Sequence, residues 1–513
     1  MDESLFAQMR TAMPEGNRPF LRTADGRHFS YDDMLMRSAQ FANSLHAAGV
    51  RPGDRLAVQV EKSAEALLLY LACLRAGAIY VPLNPAYTPA ETSWFLADSE
   101  PICFVAAPEK AETIQTLLGD PTALLTLGDD GRAGSLTECA GSVASGFDDA
   151  MRAGDDVAAI LYTSGTTGRP KGAMLTQRNL ASNALVLRDL WQFSRSDVLL
   201  HALPLYHTHG LFTATNTSMM AGASMILLPR FDLDRILAHL PEATTMMGVP
   251  TFYTRLLADS RLDRARVAHM RLFISGSAPL LPETHRAWLD RTGHAILERY
   301  GMTETGMIAS NPCDGERIAG TVGLPLPGVE LRVADPQEGS PLPSGQVGMI
   351  ELRGPNVFKS YWRKPDGTAA AFREDGFFVT GDLGTIDSSG YLRIAGRVTD
   401  LVISGGFNVY PREIETEIDA LTGVAESAVI GLPHPDIGEG VTAIVVLRDG
   451  AALGEADLLS ALGSALPDTN CQGACCSPVS SHAMPWEKYR RTFCARATAI
   501  SIGGDEERET CHD

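Results

Sequence analysis

Between Arg55 and Ile274, short apolar runs rich in β-branched residues alternate with longer segments of helical period. Arg55–Val60, Ala158–Tyr162, Leu199–Leu203, Ser224–Leu228 and Leu272–Ile274 read as buried strands. Ser63–Ala76 and Arg178–Trp191 read as helices. Strands that alternate with helices must bury apolar strand faces under helical stripes. The expected class is therefore α/β, a large N-terminal domain of mixed β-sheets wrapped by helices. From Gly345 to Gly396 the pattern changes to short strands and tight Gly/Asp turns (VGMIELRG, GFFVTGDLGTID, GYLRIAGR), the mark of a small β-subdomain. Leu401–Ser404, a helix over Pro411–Leu421, then Glu426–Gly431 and Val441–Leu447 give a small α+β C-terminal domain.

At 513 residues, the chain has length for two to four domains of about 100–200 residues each. The boundaries expected are 1–396 for the large domain, 397–466 for a small mobile domain and 467–513 for a tail of different composition. Lys and Arg number 43 against 62 Asp and Glu, a formal charge of −19. That balance excludes a nucleic-acid binder, which needs a basic footprint, and argues against docking on an anionic membrane. Apolar stretches such as Ala443–Leu447 fall far short of the ~18 residues of a membrane span. The start, MDESLFAQMR, has no apolar signal core and is not an Arg-rich transit peptide, so a cytoplasmic location is expected. Cys73, Cys103, Cys139 and Cys313 are scattered like reduced cytosolic thiols. Cys471, Cys475 and Cys476 with His482 lack the regular paired spacing of a zinc site.

The strongest local signal is Tyr162-Thr163-Ser164-Gly165-Thr166-Thr167-Gly168-Arg169-Pro170-Lys171-Gly172, read as a loop between a strand and a helix. Glycines let backbone N–H groups approach an anion, four hydroxyls add donors, and Lys171 adds charge, a combination suited to phosphate. It is not a Walker loop, which ends Gly-Lys-Ser/Thr.

This string resembles the phosphate-binding signature of the adenylate-forming superfamily, and the resemblance runs from about residue 20 to about residue 465. Further motifs match in order. Tyr300-Gly301-Met302-Thr303-Glu304 resembles the adenine and Mg²⁺ motif, Val379-Thr380-Gly381-Asp382 the ribose motif, and Gly396-Arg397, with Arg397 fifteen residues after Asp382, the second ribose contact and hinge. The resemblance implies a two-step ligation: a carboxylate attacks the α-phosphate of ATP to give an acyl-adenylate and pyrophosphate, and CoA then displaces AMP. It implies Thr163–Gly168, Lys171, Ser277, Glu298, Tyr300–Thr303, Asp382 and Arg397 as the ATP-binding set. Glu304 and Thr166 would hold Mg²⁺, and Ser404, Gly405 and Gly406 would line the CoA path.

Two features bear on the acid. Arg299 stands where many relatives with apolar acyl groups have a small residue. A fixed charge there is costly unless the acid's tail carries its own carboxylate, which points to malonate or methylmalonate. The alternative for Arg299 is a salt bridge to Glu298 or another acid outside the pocket. Leu203-Pro204-Leu205-Tyr206-His207-Thr208-His209-Gly210 resembles the same stretch of malonyl-CoA synthetases, as do Gly248-Val249-Pro250-Thr251 and Ser404–Pro411. By that resemblance His207 lies beside the reacting carboxylate, with Thr208, Ser275, Met302 or His209 building the pocket. A ligase for another short acid, or a non-catalytic nucleotide-binding relative, stays open. Nothing in the sequence speaks to oligomeric state.

The tail departs from the family. A Leu-Pro-Arg-x-x-x-Gly-Lys segment, whose lysine acts in adenylation, is expected near the end and is absent. After Leu466 the chain reads PDTNCQGACCSPVSSHAMPWEKYRRTFCA. With free choice of synonymous codons, a one-base shift from Pro467 can spell the missing ending in register. Trp486 followed by Glu487 then forces glycine, and Met484 followed by Pro485 forces alanine. A frameshift near codon 466 is the expected cause, the alternative being a divergent tail with a CoA or metal role, and poor order past about residue 465 is expected.

Overall fold

The computed structural model describes residues 2–119, 122–163, 170–404, 407–434, 438–448, 450–451, 453–454, 457–458 and 475–479. It divides into two compact units, 1–331 with 351–379 and 389–392, and 332–350 with 380–388 and 393–513.

The first unit carries two sheets. One runs in the order Leu324–Pro325, Gly306–Ser310, Leu297–Met302, Leu272–Ser275, Thr245–Gly248, Val198–His201, Ser224–Leu227, Pro19–Thr23, His28–Ser30. The other runs Ser360–Tyr361, Lys171–Thr176, Val157–Thr163, Ile79–Pro82, Arg55–Gln59, Cys103–Ala106, Ala123–Thr126. Every residue of helix Ala64–Arg75 is buried, as a helix apolar on all sides must be. Ser63 caps its start by accepting from the Ala66 N–H. Its two charged ends are paired inside the protein, Glu65 with Arg27 at 2.7 Å and Arg75 with Asp149 at 2.6 Å. The strands expected from sequence are all present within a few residues of the stated ends.

One expectation is corrected. The Ser/Gly/Thr loop does not lead directly into a helix. Lys171–Thr176 forms a strand antiparallel to Val157–Thr163, with Thr163 opposite Lys171, and helix Gln177–Leu190 follows it. The loop is thus the tip of a hairpin. Gly172 is needed at its base because a Cβ there would lie 2.8 Å from Ile160 and 3.1 Å from the Tyr162 ring.

In the first sheet, Val198–His201, Thr245–Gly248, Leu272–Ser275 and the start of Leu297–Met302 are parallel. Their C-terminal ends therefore share one edge, where ligands of open α/β sheets bind. The opposite edge is fastened by one carboxylate. Asp197 is bidentate to Arg271, with Nε at 2.8 Å and Nη2 at 3.0 Å. It also accepts from the Thr244 hydroxyl at 2.8 Å and the Ser194 N–H at 2.8 Å. These residues precede three neighbouring strands, so one side chain sets their mutual register.

The second unit contains most of a sheet ordered Glu330–Ala334, Gly348–Arg353, Phe378–Ile386, Leu392–Arg397. It also has a sheet of Phe407–Val409, Val402–Ser404, Gly438–Leu447 and Val424–His434, with helix Pro411–Asp419. Cys475–Val479 adds a strand parallel to Gly438–Leu447, Thr442 facing Cys475. Part of the aberrant tail thus pairs with the small domain's sheet, while Cys471 and His482 lie outside the described residues. No helix of the described residues is long and apolar enough to cross a membrane.

Burial raises the Asp197 pKa, and the Arg271 pair with the Ser194 and Thr244 donors outweighs it, leaving the folded value below that of a free carboxyl. Stabilisation by this group is present above the unfolded value, near 4, and is lost as pH falls through the lower folded value. Asp197→Asn is expected to lower stability by about 2–3 kcal/mol at pH 7. The gap to the parent protein should close in denaturant melts run toward pH 3.

Candidate active site

At the functional edge, three connections converge. The turn Leu203–Gly210 follows strand Val198–His201, and Ser275-Gly276-Ser277 ends strand Leu272–Ser275. Arg299 lies on the next strand. Ser277 has φ +72°, a left-handed conformation that a serine adopts only when its surroundings hold it. Its Oγ lies 3.1 Å from His209 Nδ1. His209 is buried, and burial, with Arg299 nearby, lowers its pKa far below the usual range, so the ring is neutral.

Arg299 is 3% exposed. Its guanidinium lies so close over Gly276 that a Cβ there would sit 2.4 Å from Cζ. Among the described residues no carboxylate pairs with it. Glu298, the neighbour that could have done so, instead reaches His285 at 3.3 Å and the Gly320 N–H at 3.3 Å. Strand alternation explains the split, since successive side chains point to opposite faces. Burial without a counter-charge pushes the Arg299 pKa down, to about 9.

Five buried polar atoms of this region lack any hydrogen-bond partner: Thr208 Oγ1, His209 Nε2, Ser275 Oγ, and Arg299 Nε and Nη2. Native interiors rarely leave such groups unpaired, because each costs about 1–3 kcal/mol, more for a charge. Gathered around one edge, they describe a site shaped for a polar, negatively charged ligand. His207 lies at the exposed side of the turn, its ring 4.6 Å from that of Tyr206. The protein around it lowers its pKa by desolvation even so.

A second constellation lies on the same unit. Glu304 is buried and its Oε1 accepts from the Tyr361 hydroxyl at 2.9 Å. Lys171 Nζ sits 5.1 Å from the centre of the Tyr361 ring. Burial, and then Glu304, push the Tyr361 pKa up, so the phenol keeps its proton and donates it to the carboxylate. A lysine, a phenol and an acid are thereby linked beside the hairpin tip. Thr163 and Pro170 flank that tip, while Ser164, Gly165, Thr166, Thr167, Gly168 and Arg169 lie outside the described residues.

The model of the AMP-binding enzyme family matches residues 9–362, and that of the AMP-binding enzyme C-terminal domain matches 413–479. The chain is an AMP-binding enzyme. The solved structure of ATP-bound MatB from Rhodopseudomonas palustris is 55% identical and superposes with a TM-score of 0.91, covering 93% of this chain and 95% of that one. A malonate–CoA ligase of Arabidopsis thaliana is 34% identical over 468 residues, 83% of this chain and 76% of the relative. A feruloyl-CoA synthase of an Amycolatopsis species is 37% identical over 452 residues, 86% and 88% of the two chains.

In this AMP-binding enzyme, Ser275, Arg299, Thr208 and His209, expected around the acid, lie together with Ser277, which was expected among the ATP contacts. Tyr300, Gly301 and Met302 continue the Arg299 strand, and Thr303 and Glu304 follow in its turn. A Cβ at Gly301 would meet the Gly306 carbonyl oxygen at 2.2 Å, which explains the glycine of that motif. On the second unit, Asp382 is buried and accepts from Arg397 Nε at 3.0 Å, so the two expected ribose contacts meet each other. Ser404 is buried at a strand end, and Gly405 and Gly406 lie outside the described residues.

Sequence reasoning missed Gly276 and Tyr361. The SGS triplet at a strand end was the available sign for the first. For the second, a lone Tyr far from the motifs gave none. Gly276→Ala is expected to push the Arg299 guanidinium aside without straining the backbone. An anionic acid substrate should then show a raised KM while ATP affinity measured by calorimetry holds.

Proposed function

We propose that this protein is a malonyl-CoA synthetase, joining malonate, with methylmalonate as the near alternative, to CoA at the expense of ATP. AMP and pyrophosphate are the other products. One observation carries the choice of acid: a buried Arg299 with unpaired N–H groups and, among the described residues, no carboxylate partner. A second carboxylate on the substrate would supply the missing counter-charge in bidentate geometry. An aliphatic or aromatic tail would leave the cation unpaired in an apolar contact. The identities to MatB and to malonate–CoA ligases support the same assignment.

In the first step a carboxylate oxygen bonds to the α-phosphorus and the bond to pyrophosphate breaks. Two anions must approach in line, so positive charge and fixed donors govern the barrier. Lys171 and the hydroxyls of the hairpin tip would cradle the phosphates. Arg299 would hold the far carboxylate, leaving the near one directed at phosphorus, with His207 as a donor or gate beside it. In the second step the CoA sulfur bonds to the acyl carbon and AMP leaves.

Among the described residues no group of three His, Cys, Asp or Glu could cage a metal. One buried carboxylate, Glu304, is nonetheless the donor set of Mg²⁺ at a nucleotide, where phosphates and water fill the other positions. Glu304 and Thr166 would hold it. When bound, the ion neutralises phosphate charge. Tyr361 would fix the Glu304 carboxylate in place for it.

The small domain would turn about a hinge near Arg397–Asp400 and bring Ser404, Gly405 and Gly406 to the pantetheine path. The boundaries 1–396, 397–466 and 467–513 belong to the same proposal.

Arg299→Ala is expected to abolish malonate-dependent pyrophosphate release while butyrate becomes a substrate. ATP binding should persist. Malonate use undiminished in that variant would overturn the assignment. The chain as written lacks the family's adenylation lysine, so a version with the neighbouring-frame ending restored is expected to release pyrophosphate faster by about 10²–10³. Equal rates from the two chains, or a gene without that ending in a neighbouring frame, would refute the frameshift.

A further inference from the structure

Lys62 stands between strand Arg55–Gln59 and helix Ala64–Arg75, and it is buried. No carboxylate among the described residues pairs with it. Its Nζ instead has three neighbours within hydrogen-bond distance: the Leu203 carbonyl oxygen at 2.7 Å, the His201 carbonyl oxygen at 2.9 Å and His201 Nδ1 at 3.1 Å. On the other side of the same imidazole, Nε2 lies 2.9 Å from the Gly210 carbonyl oxygen and 3.3 Å from Thr215 Oγ1.

These contacts fix the protons. A carbonyl oxygen only accepts, so His201 Nε2 carries the hydrogen that faces Gly210. Burial and the Lys62 charge keep the imidazole neutral, so Nδ1 is a lone pair and Lys62 donates to it. Three acceptors use all three hydrogens of an ammonium and leave no donor for an amine lone pair. Burial disfavours the charge on both groups. The imidazole yields, becoming neutral. The lysine keeps its proton because every neighbour of Nζ is an acceptor.

The bonded carbonyls are those of His201, Leu203 and Gly210, at the two ends of the turn that bears His207, Thr208 and His209. Lys62 holds the entry and His201 holds the exit. Gly210 also packs on Pro204, where a Cβ would meet the carbonyl oxygen at 1.9 Å. The exit continues as a π-helical turn, His209–Thr215, a wide geometry in which the Thr215 hydroxyl also donates to the Gly210 oxygen, at 3.0 Å.

We propose that Lys62 and His201 form a charged clamp across the ends of the 203–210 turn, acting as positioning residues for the acid-binding side chains it carries. This rests on the acid-binding role proposed above for the turn. Among the described residues the clamp touches neither Thr163, Lys171 nor Glu304, so its loss should act on the acid and not on ATP.

The test uses Lys62→Met, His201→Leu, the double variant and His201→Gln, in the full chain. Misplacing a reacting group by about 1 Å costs on the order of 10² in rate. A loss of that size in kcat/KM for the acid is expected in each of the first two variants, with ATP affinity by calorimetry unchanged. The double variant should be no worse than the worse single one, as for groups acting as a unit. His201→Gln, which keeps an acceptor and a donor, should recover most of the loss. Losses that add, or ATP affinity falling in step with acid use, would overturn the proposal. Should the variants fail to fold, ¹⁵N-histidine spectra of the unaltered protein decide it. A neutral His201 protonated at Nε2 is expected down to pH 5, and an Nδ1–H tautomer or an imidazolium refutes the clamp. A protein with no dicarboxylate-dependent activity but this tautomer would instead refute the choice of acid.

Discussion

The site is organised around a cation that the fold buries and declines to neutralise. Arg299 emerges from a strand into a place where Glu298 points the other way, His209 is neutral, and the nearest surface is a glycine. A folded protein tolerates such a charge only if the rest of the structure over-determines it. Here strand pairing on both sides of Leu297–Met302 and the strained Ser277 do so. The orphaned atoms of Thr208, His209, Ser275 and Arg299 are the observation on which the proposed dicarboxylate site rests.

Nucleotide and acid are handled by different kinds of structure. The proposed phosphate-binding residues join the paired strands Val157–Thr163 and Lys171–Thr176. The proposed acid pocket is assembled at the ends of parallel strands, from the turn 203–210, the segment 275–277 and Arg299 on the next strand. Tyr361 stands between Lys171 and Glu304, its ring toward the ammonium and its hydroxyl donating to the carboxylate.

The sheet order could not be read from sequence, but the elements could. Strands 55–60, 158–162, 199–203, 224–228 and 272–274 are apolar runs with turn residues at both ends, and local pattern suffices for those. Lys171–Thr176 escaped because its first residues belong to the Ser/Gly/Thr motif, which masks its period. Arg299 was legible as an oddity, a charge amid apolar neighbours. Its company was not, since Gly276 reaches it only through the pairing of Leu272–Ser275 with Leu297–Met302. His201 and Lys62 were invisible for the same reason: 139 positions separate them in the chain, and only the fold makes them neighbours. Histidines 207 and 209 stood out because their flanking string resembles a known family, whereas in isolation they would read as ordinary core residues.

Asp197 binds three strands together at the edge opposite the pocket. Mechanical integrity and chemical selectivity are therefore written at opposite ends of the same strands. Drift in the connections at 203–210, 248–250 and 275–277 meets little resistance from folding, because their strands are already bolted at the far side. A scaffold divided in this way can hand its activating chemistry from one carboxylic acid to another while keeping its nucleotide machinery, and relatives bearing feruloyl and malonate names at similar distances from this chain are the expected outcome.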